Sequence, residues 1–438
     1  MIALADSLRS VEIGEVPVAT PTGRLVGASG LLLESVGCRL HTGQRCRIET
    51  VSGEWLDAQV VGFRDKVSYL MPFKQAAGLS TGARVLPAPT AHALQIGESW
   101  LGRMVNGLGE PIDDLGRLGG EHRLDPVPPR VNPLRKQPVA EPLDVGVRAI
   151  NSMLTIGKGQ RVGLMAGSGV GKSVLLGLIT RQTVADVVVV GLIGERNREV
   201  REFVELSLGE DGLKKAVLVV APADDSPLMR IRATELCHAV AAHFRDQGKN
   251  VLLLVDSLTR YAMALREVAL ALGEPPATRG YPPSVFSALP QLVESAGNGE
   301  NPAGSMSAIY TVLAEGDDQQ DPVVDTARAI LDGHIVLTRE LAERGHYPAI
   351  DVAQSISRCM AQVVPQPHAL AARKLKASMA RHARVRDLIP LGAYVPGADP
   401  VTDHAVRLQP HIDAFLSQGT REGAPLGACI EQLEAMMA

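Results

Sequence analysis

Residues 160–182, QRVGLMAGSGVGKSVLLGLITRQ, join an apolar run to a helical run through a turn that holds Gly167, Gly169 and Gly171. No other feature constrains the fold as strongly. A strand that feeds a helix across so tight a turn brings the turn's backbone N–H groups to one point, and the helix N-terminus adds partial positive charge there. That corner suits phosphate. Lys172 is placed to reach the β- and γ-phosphates of a nucleotide, and the Ser173 hydroxyl to ligate Mg²⁺. The usual pattern G-x-x-x-x-G-K-[ST] opens on Gly where this chain has Ala166, a replacement its relaxed form accepts. The candidate nucleotide-binding residues are Gly167, Ser168, Gly169, Val170, Gly171, Lys172, Ser173 and Val174.

The runs DVVVVGLIG, AVLVVAP and NVLLLVDS are apolar throughout and alternate with helical patterns. Strands of that kind are buried on both faces, which predicts an α/β fold with a parallel sheet under helices on either side. In such sheets ligands bind beyond the carboxyl ends of the strands. Two acidic residues stand there. Asp256 closes NVLLLVD and is the candidate Mg²⁺ holder, although an Asp at that place also caps helices. Glu195 in GERNRE is the candidate that orients and polarises the attacking water, with Arg196 beside it to neutralise phosphate charge.

Residues 18 to about 90 break into short strands separated by turns, which predicts a small β-barrel or sandwich. Gly- and Pro-rich segments such as NGLGEPIDDLGRLGG and DPVPPRVNPLRKQP mark a crossing between domains. After Pro367 the pattern turns helical, with Lys and Arg on HALAARKLKASMARHARVRDLI reading as a solvated or subunit-facing surface. The expected domains are residues 1–92, 93–365 and 366–438. A net charge of −4 and 3% aromatic residues give no case for a nucleic-acid partner. The five cysteines form no C-x-x-C pair, and the first residues lack the unbroken apolar stretch of a signal peptide. A reduced cytoplasmic protein without a cysteine-based zinc site is expected.

The segments GERNRE, LLLVDSLTRYA, REVALALGEPPATRGYPPSVF and GHYPAIDVAQSISR resemble the catalytic subunits of rotary ATP synthases and their secretion relatives. Within that superfamily, AGSGVGKSVLLG, APADDSPLMR, TVLAEGDDQQDP and ARAILDGHIVL are similar to the flagellum-specific ATPases of the flagellar type III export apparatus. The resemblance runs from about residue 20 to 415. It implies a RecA-like P-loop ATPase core with an N-terminal β-barrel and a C-terminal helical domain, ATP and Mg²⁺ as ligands, and a homohexamer. It implies that Arg358, in QSISRCM, acts as an arginine finger in the neighbouring subunit's site, and that Tyr347 packs near the adenine. Either could instead be structural, as a surface ion pair or a buried tyrosine. TRGYPPSVFSALPQL is similar to the family's loop around the ring opening. The implied partners are a coiled-coil stator-like regulator, a central stalk-like export protein, export chaperones with their substrates, and the membrane export gate. The implied location is peripheral, at the cytoplasmic face of the inner membrane.

Other members of the superfamily compete. An injectisome ATPase would be the same enzyme in another machine, while GDDQQDP and GFRDKVSYLMPF lean flagellar. An ATP synthase catalytic subunit would carry an acidic segment in its C-terminal region that this chain lacks. A non-catalytic ring subunit would lack Glu195, and a ring-shaped RNA translocase would carry an RNA-binding N-terminal motif.

Overall fold

Alternating burial closes the N-terminal strands on themselves. In the computed structural model, which describes residues 21–88, 94–128, 132–167, 169–300, 304–313, 321–397 and 399–438, six strands form a closed barrel: β1 (Gly23–Ser29), β2 (Leu32–Val36), β3 (Arg45–Glu49), β4 (Trp55–Arg64), β5 (Val67–Pro72) and β6 (Arg84–Pro87), in the order β1-β2-β5-β4-β3-β6. Pairing of β1 with β6, Gly23 opposite Val85, completes the closure. Leu25, Leu33, Ile48, Val60, Leu70 and Val85 fill the inside. The sequence left barrel and sandwich open; closure decides for the barrel. This compact unit ends at Ala91, and a second begins at His92.

The second unit is built on an eight-stranded sheet. Its strands are β7 (Met104–Val105), β8 (Arg161–Ala166), β9 (Val187–Ile193), β10 (Ala216–Ala221), β11 (Asn250–Asp256), β12 (Ser305–Leu313), β13 (Gly333–Leu337) and β14 (Ile350–Ser357). They lie in the order β14-β13-β8-β12-β11-β9-β10-β7, all parallel except β14, which runs antiparallel to β13. Every residue of β9 is buried. Val188, Val190 and Leu192 share a core with Leu175, Leu176 and Ile179 of helix α1 (Lys172–Gln182). Helix α2 (Pro227–Asp246) packs against β9, β10 and β11. At Gly191 a Cβ would come within 2.6 Å of Cys237 Sγ on that helix, so the glycine sets how closely helix and sheet approach. Two-sided cover is why these strands read as unbroken apolar runs.

Helix starts follow local chemistry. Pro227 opens α2, and the Ser226 hydroxyl accepts from Met229 N. At the C-terminal side, helices α3 (Gln366–Val385), α4 (Pro400–Leu416) and α5 (Leu426–Met437) pack together. Helix α3 buries His368, Ala371, Ala372 and Leu375, while Arg373, Lys374, Arg381 and Arg384 are exposed on the chain's own surface. No described helix is long and apolar enough to cross a membrane. Ser168, residues 1–20 and all of GDDQQ lie outside the described residues.

Candidate active site

Strand order places the chemistry. From β8 to β9 the sheet runs β8, β12, β11, β9. Register sets Leu192 opposite Asp256 and Val255 opposite Tyr310, so the ends of these strands lie side by side. The turn after β8 positions Lys172 at the head of α1, with Gly169 at φ +80° and Gly171 at φ +90°, conformations that suit glycine. The Lys172 side chain reaches past β12 to both acids. Its Nζ lies 2.7 Å from Asp256 Oδ1 and 3.0 Å from Glu195 Oε1. The three side chains are only 12%, 14% and 4% exposed for Lys172, Glu195 and Asp256, so the charges interact with little screening.

Burial alone would lower the Lys172 pKa, but Asp256 and Glu195 outweigh it and hold the ammonium above the ordinary lysine value. Burial pushes the Asp256 carboxyl up, against the pull of Lys172 and of the Thr311 hydroxyl. Thr311 Oγ1 donates to Asp256 Oδ1 at 2.6 Å. The cap of the next helix, Leu258–Ala271, is Ser257, whose Oγ accepts from Arg260 N at 3.2 Å. Asp256 is therefore free of the capping role and turned to the lysine.

Two residues at this corner were not singled out from the sequence. Thr311 sits within SMSAIYTVL, where a threonine reads as an ordinary strand former. The stem of Arg260 lies against Gly194, where a Cβ would come within 2.8 Å of Arg260 Cγ, and its buried Nε has no partner among the described residues. Its position four residues after Asp256, on the first turn of a helix, is the only hint.

The other candidates separate. Val170 is buried, while Gly169, Ser173 and Val174 are exposed on the loop and the first turn of α1. The Tyr347 ring stands 3.7 Å from where a Cβ on Gly171 would lie, which sets it beside the phosphate loop. Its carbonyl accepts from Gln418 N at 2.8 Å, tying it to the segment between α4 and α5. Arg196 is not drawn in: its side chain is 79% exposed and its NH1 lies 3.7 Å from Glu199. Arg358 is not drawn in either. Ser357 pairs with Gly333 at the start of β13, whereas Ala166 pairs with Leu337 at its end. Arg358 thus lies at the amino edge of the sheet, about 13 Å along the strands from its own phosphate loop. Exposed there, its NH2 donates to the Arg328 carbonyl at 3.1 Å.

Oxygen donors from Asp256 and Ser173 suit Mg²⁺. Among the described residues no three His, Cys, Asp or Glu side chains gather closely enough to hold a metal by themselves. That donor set fits an ion completed by phosphate oxygens and water.

Residues 146–357 match the ATP synthase alpha/beta family, nucleotide-binding domain, and residues 364–435 match the T3SS EscN ATPase C-terminal domain. The Flagellum-specific ATP synthase of Pseudomonas aeruginosa is 54% identical over 419 residues, 95% of this chain and 93% of that protein. The one from Salmonella typhimurium is 50% identical over 430 residues, 96% and 94% of the two chains. Among solved structures, the assembled ATPase EscN of the enteropathogenic E. coli type III secretion system superposes with a TM-score of 0.89 at 41% identity, covering 95% of this chain and 100% of that one. EscN in complex with its central stalk EscO gives 0.87 at 40% identity, with the same coverage.

Proposed function

The chain belongs to the flagellum-specific ATP synthases, the type III secretion branch of the ATP synthase alpha/beta family, and we propose that it works as a homohexamer whose catalytic sites are each completed by two subunits. It is an ATPase of type III secretion, and the names of its relatives favour the flagellar system. The observation that carries the proposal is the separation of the two halves of the chemistry. Lys172, Glu195 and Asp256 converge at one edge of the sheet, and Arg358 is presented at the other.

In each site Lys172 neutralises the β- and γ-phosphates of ATP, and the loop N–H groups hold them. Asp256 and Ser173 would hold Mg²⁺, which when bound would supply positive charge against the phosphates. Thr311 fixes the Asp256 carboxylate, and Glu195 orients and polarises the attacking water. Arg196 joins by leaving Glu199; an exposed pair of that kind is worth at most about 1 kcal/mol, so little opposes the move. Tyr347 lines the base side of the loop. Arg358 of the adjoining subunit meets the charge that develops on the transferred phosphoryl group.

Around this ring the remaining roles follow the family: a stalk in the central opening, as in the EscN–EscO complex, and a coiled-coil stator-like regulator. Hydrolysis then releases export substrates from their chaperones for delivery, unfolded, to the membrane export gate. The ring works peripherally at the cytoplasmic face of the inner membrane. The injectisome reading has the EscN structures in its favour. One replacement separates the two. A Glu195→Gln gene in the source cell is expected to abolish or sharply reduce swimming and filament protein in the supernatant. Normal motility would assign the chain to another secretion machine or make its hydrolysis dispensable.

A further inference from the structure

The strand that carries the phosphate loop at its carboxyl end begins with Arg161, and Arg161 grips the segment that presents Arg358. The Asp332 carboxylate accepts from Arg161 N at 3.0 Å, from Nε at 2.9 Å and from NH2 at 3.0 Å. The Asp332 carbonyl in turn accepts from Arg358 N at 3.0 Å and from Gln160 Nε2 at 3.1 Å. Gln160 Nε2 also donates to Ser357 Oγ, which donates to the Thr155 carbonyl at 2.8 Å. Glu294 pairs with the remaining Arg161 nitrogen, NH1, at 2.5 Å. Both side chains of the central pair are largely shielded, at 17% and 27% exposed for Arg161 and Asp332. A three-donor, largely desolvated grip of this kind is rigid. Ordinary strand pairing would hold β13 to β8 without it.

We propose that the Arg161–Asp332 pair positions Arg358 for the neighbouring subunit's site, so that β8 ties the phosphate loop at one end to the finger offered onward at the other. Asp332 acts through Arg358 and touches no substrate. The inference rests on the reading of Arg358 as a finger in trans.

Two kinds of chain, co-assembled, test it. Lys172→Ala chains lose their own site and still offer Arg358, while Arg358→Ala chains keep the site and lack the finger. In the mixture only composite sites turn over ATP. Asp332→Asn is then placed on one kind of chain at a time. On the finger chain it is expected to lower the restored turnover by roughly 10²-fold, the order that a misplaced catalytic group costs. On the site chain it is expected to change turnover less than about twofold, since Lys172, Glu195 and Asp256 stand at the far edge. Arg161→Lys on the finger chain, which keeps the charge and loses the fork, gives a smaller loss of the same asymmetry. Equal losses on either chain, as general destabilisation would give, or no loss on the finger chain, overturn the inference. No turnover from the parent mixture overturns the finger reading itself, and the inference with it.

Discussion

The carboxyl and amino edges of the sheet are built differently. At the carboxyl edge three charges are buried against one another, and Lys172 is satisfied wholly within its own chain. At the amino edge Arg358 is exposed, held by backbone carbonyls, and has no carboxylate partner among the described residues. A buried charge is tolerated where it is paired, so the first corner stands complete in isolation. An exposed arginine held by its backbone costs little and keeps its charge available to something outside the chain. One corner is made to receive phosphate and the other to be given away.

The largest test of that contrast removes the donated charge. Arg358→Ala is expected to lower kcat about 10³-fold or more, as loss of an arginine finger does, while affinity for a fluorescent nucleotide changes little. A matching loss of affinity would put Arg358 in its own chain's site and break the comparison.

Acid sharpens the contrast from the buried side. Behind Thr311, the adjacent Tyr310 donates its hydroxyl proton to His238 Nε2 at 2.9 Å, because His238 Nδ1–H is committed to the Thr234 carbonyl. Burial lowers the His238 pKa from 6.5 to about 4. Below about pH 6.5 the unfolded chain takes up a proton that the folded chain refuses. Stability therefore falls as the pH drops from 6.5 towards 4, by about 3 kcal/mol at the lower end, and this contribution is constant above 6.5. Urea unfolding at pH 7 and pH 5 reads the slope, and His238→Asn should flatten it. A slope unchanged in the variant would mean that other groups set the acid sensitivity.

The smallest effect sits next door. Thr311→Val keeps the shape and removes a hydrogen bond to a charged carboxylate, worth about 1.5–3 kcal/mol. A fall in kcat of about tenfold is expected, with the Arg358→Ala effect unchanged when the two are combined. Strong coupling between them would mean that the two edges are not independent.

The two edges also differed in how far they could be read from the amino-acid sequence. Lys172, Glu195 and Asp256 each follow an apolar run, and parallel topology alone carries such residues to one edge. Their convergence was legible without knowing the strand order. Thr311 was not, because which strand lies between β8 and β11 is a fact of topology. The reversed direction of β14 was hidden for a related reason: IDVAQSIS reads the same way whichever way the strand runs. Nor did spacing say where Arg358 stands; only the resemblance supplied a role, and the register of β13 and β14 supplied its distance from its own loop. Arg196 shows the opposite limit, since adjacency to Glu195 in sequence did not bring its side chain to the site, and it stands in solvent.

The central claim, that each site is made by two chains, is tested most directly by co-assembling Lys172→Ala and Arg358→Ala proteins and measuring phosphate release. Each alone is expected to be inactive, and the mixture to recover a substantial part of the activity, rising with the fraction of composite interfaces. A mixture as inactive as its components would contradict the account.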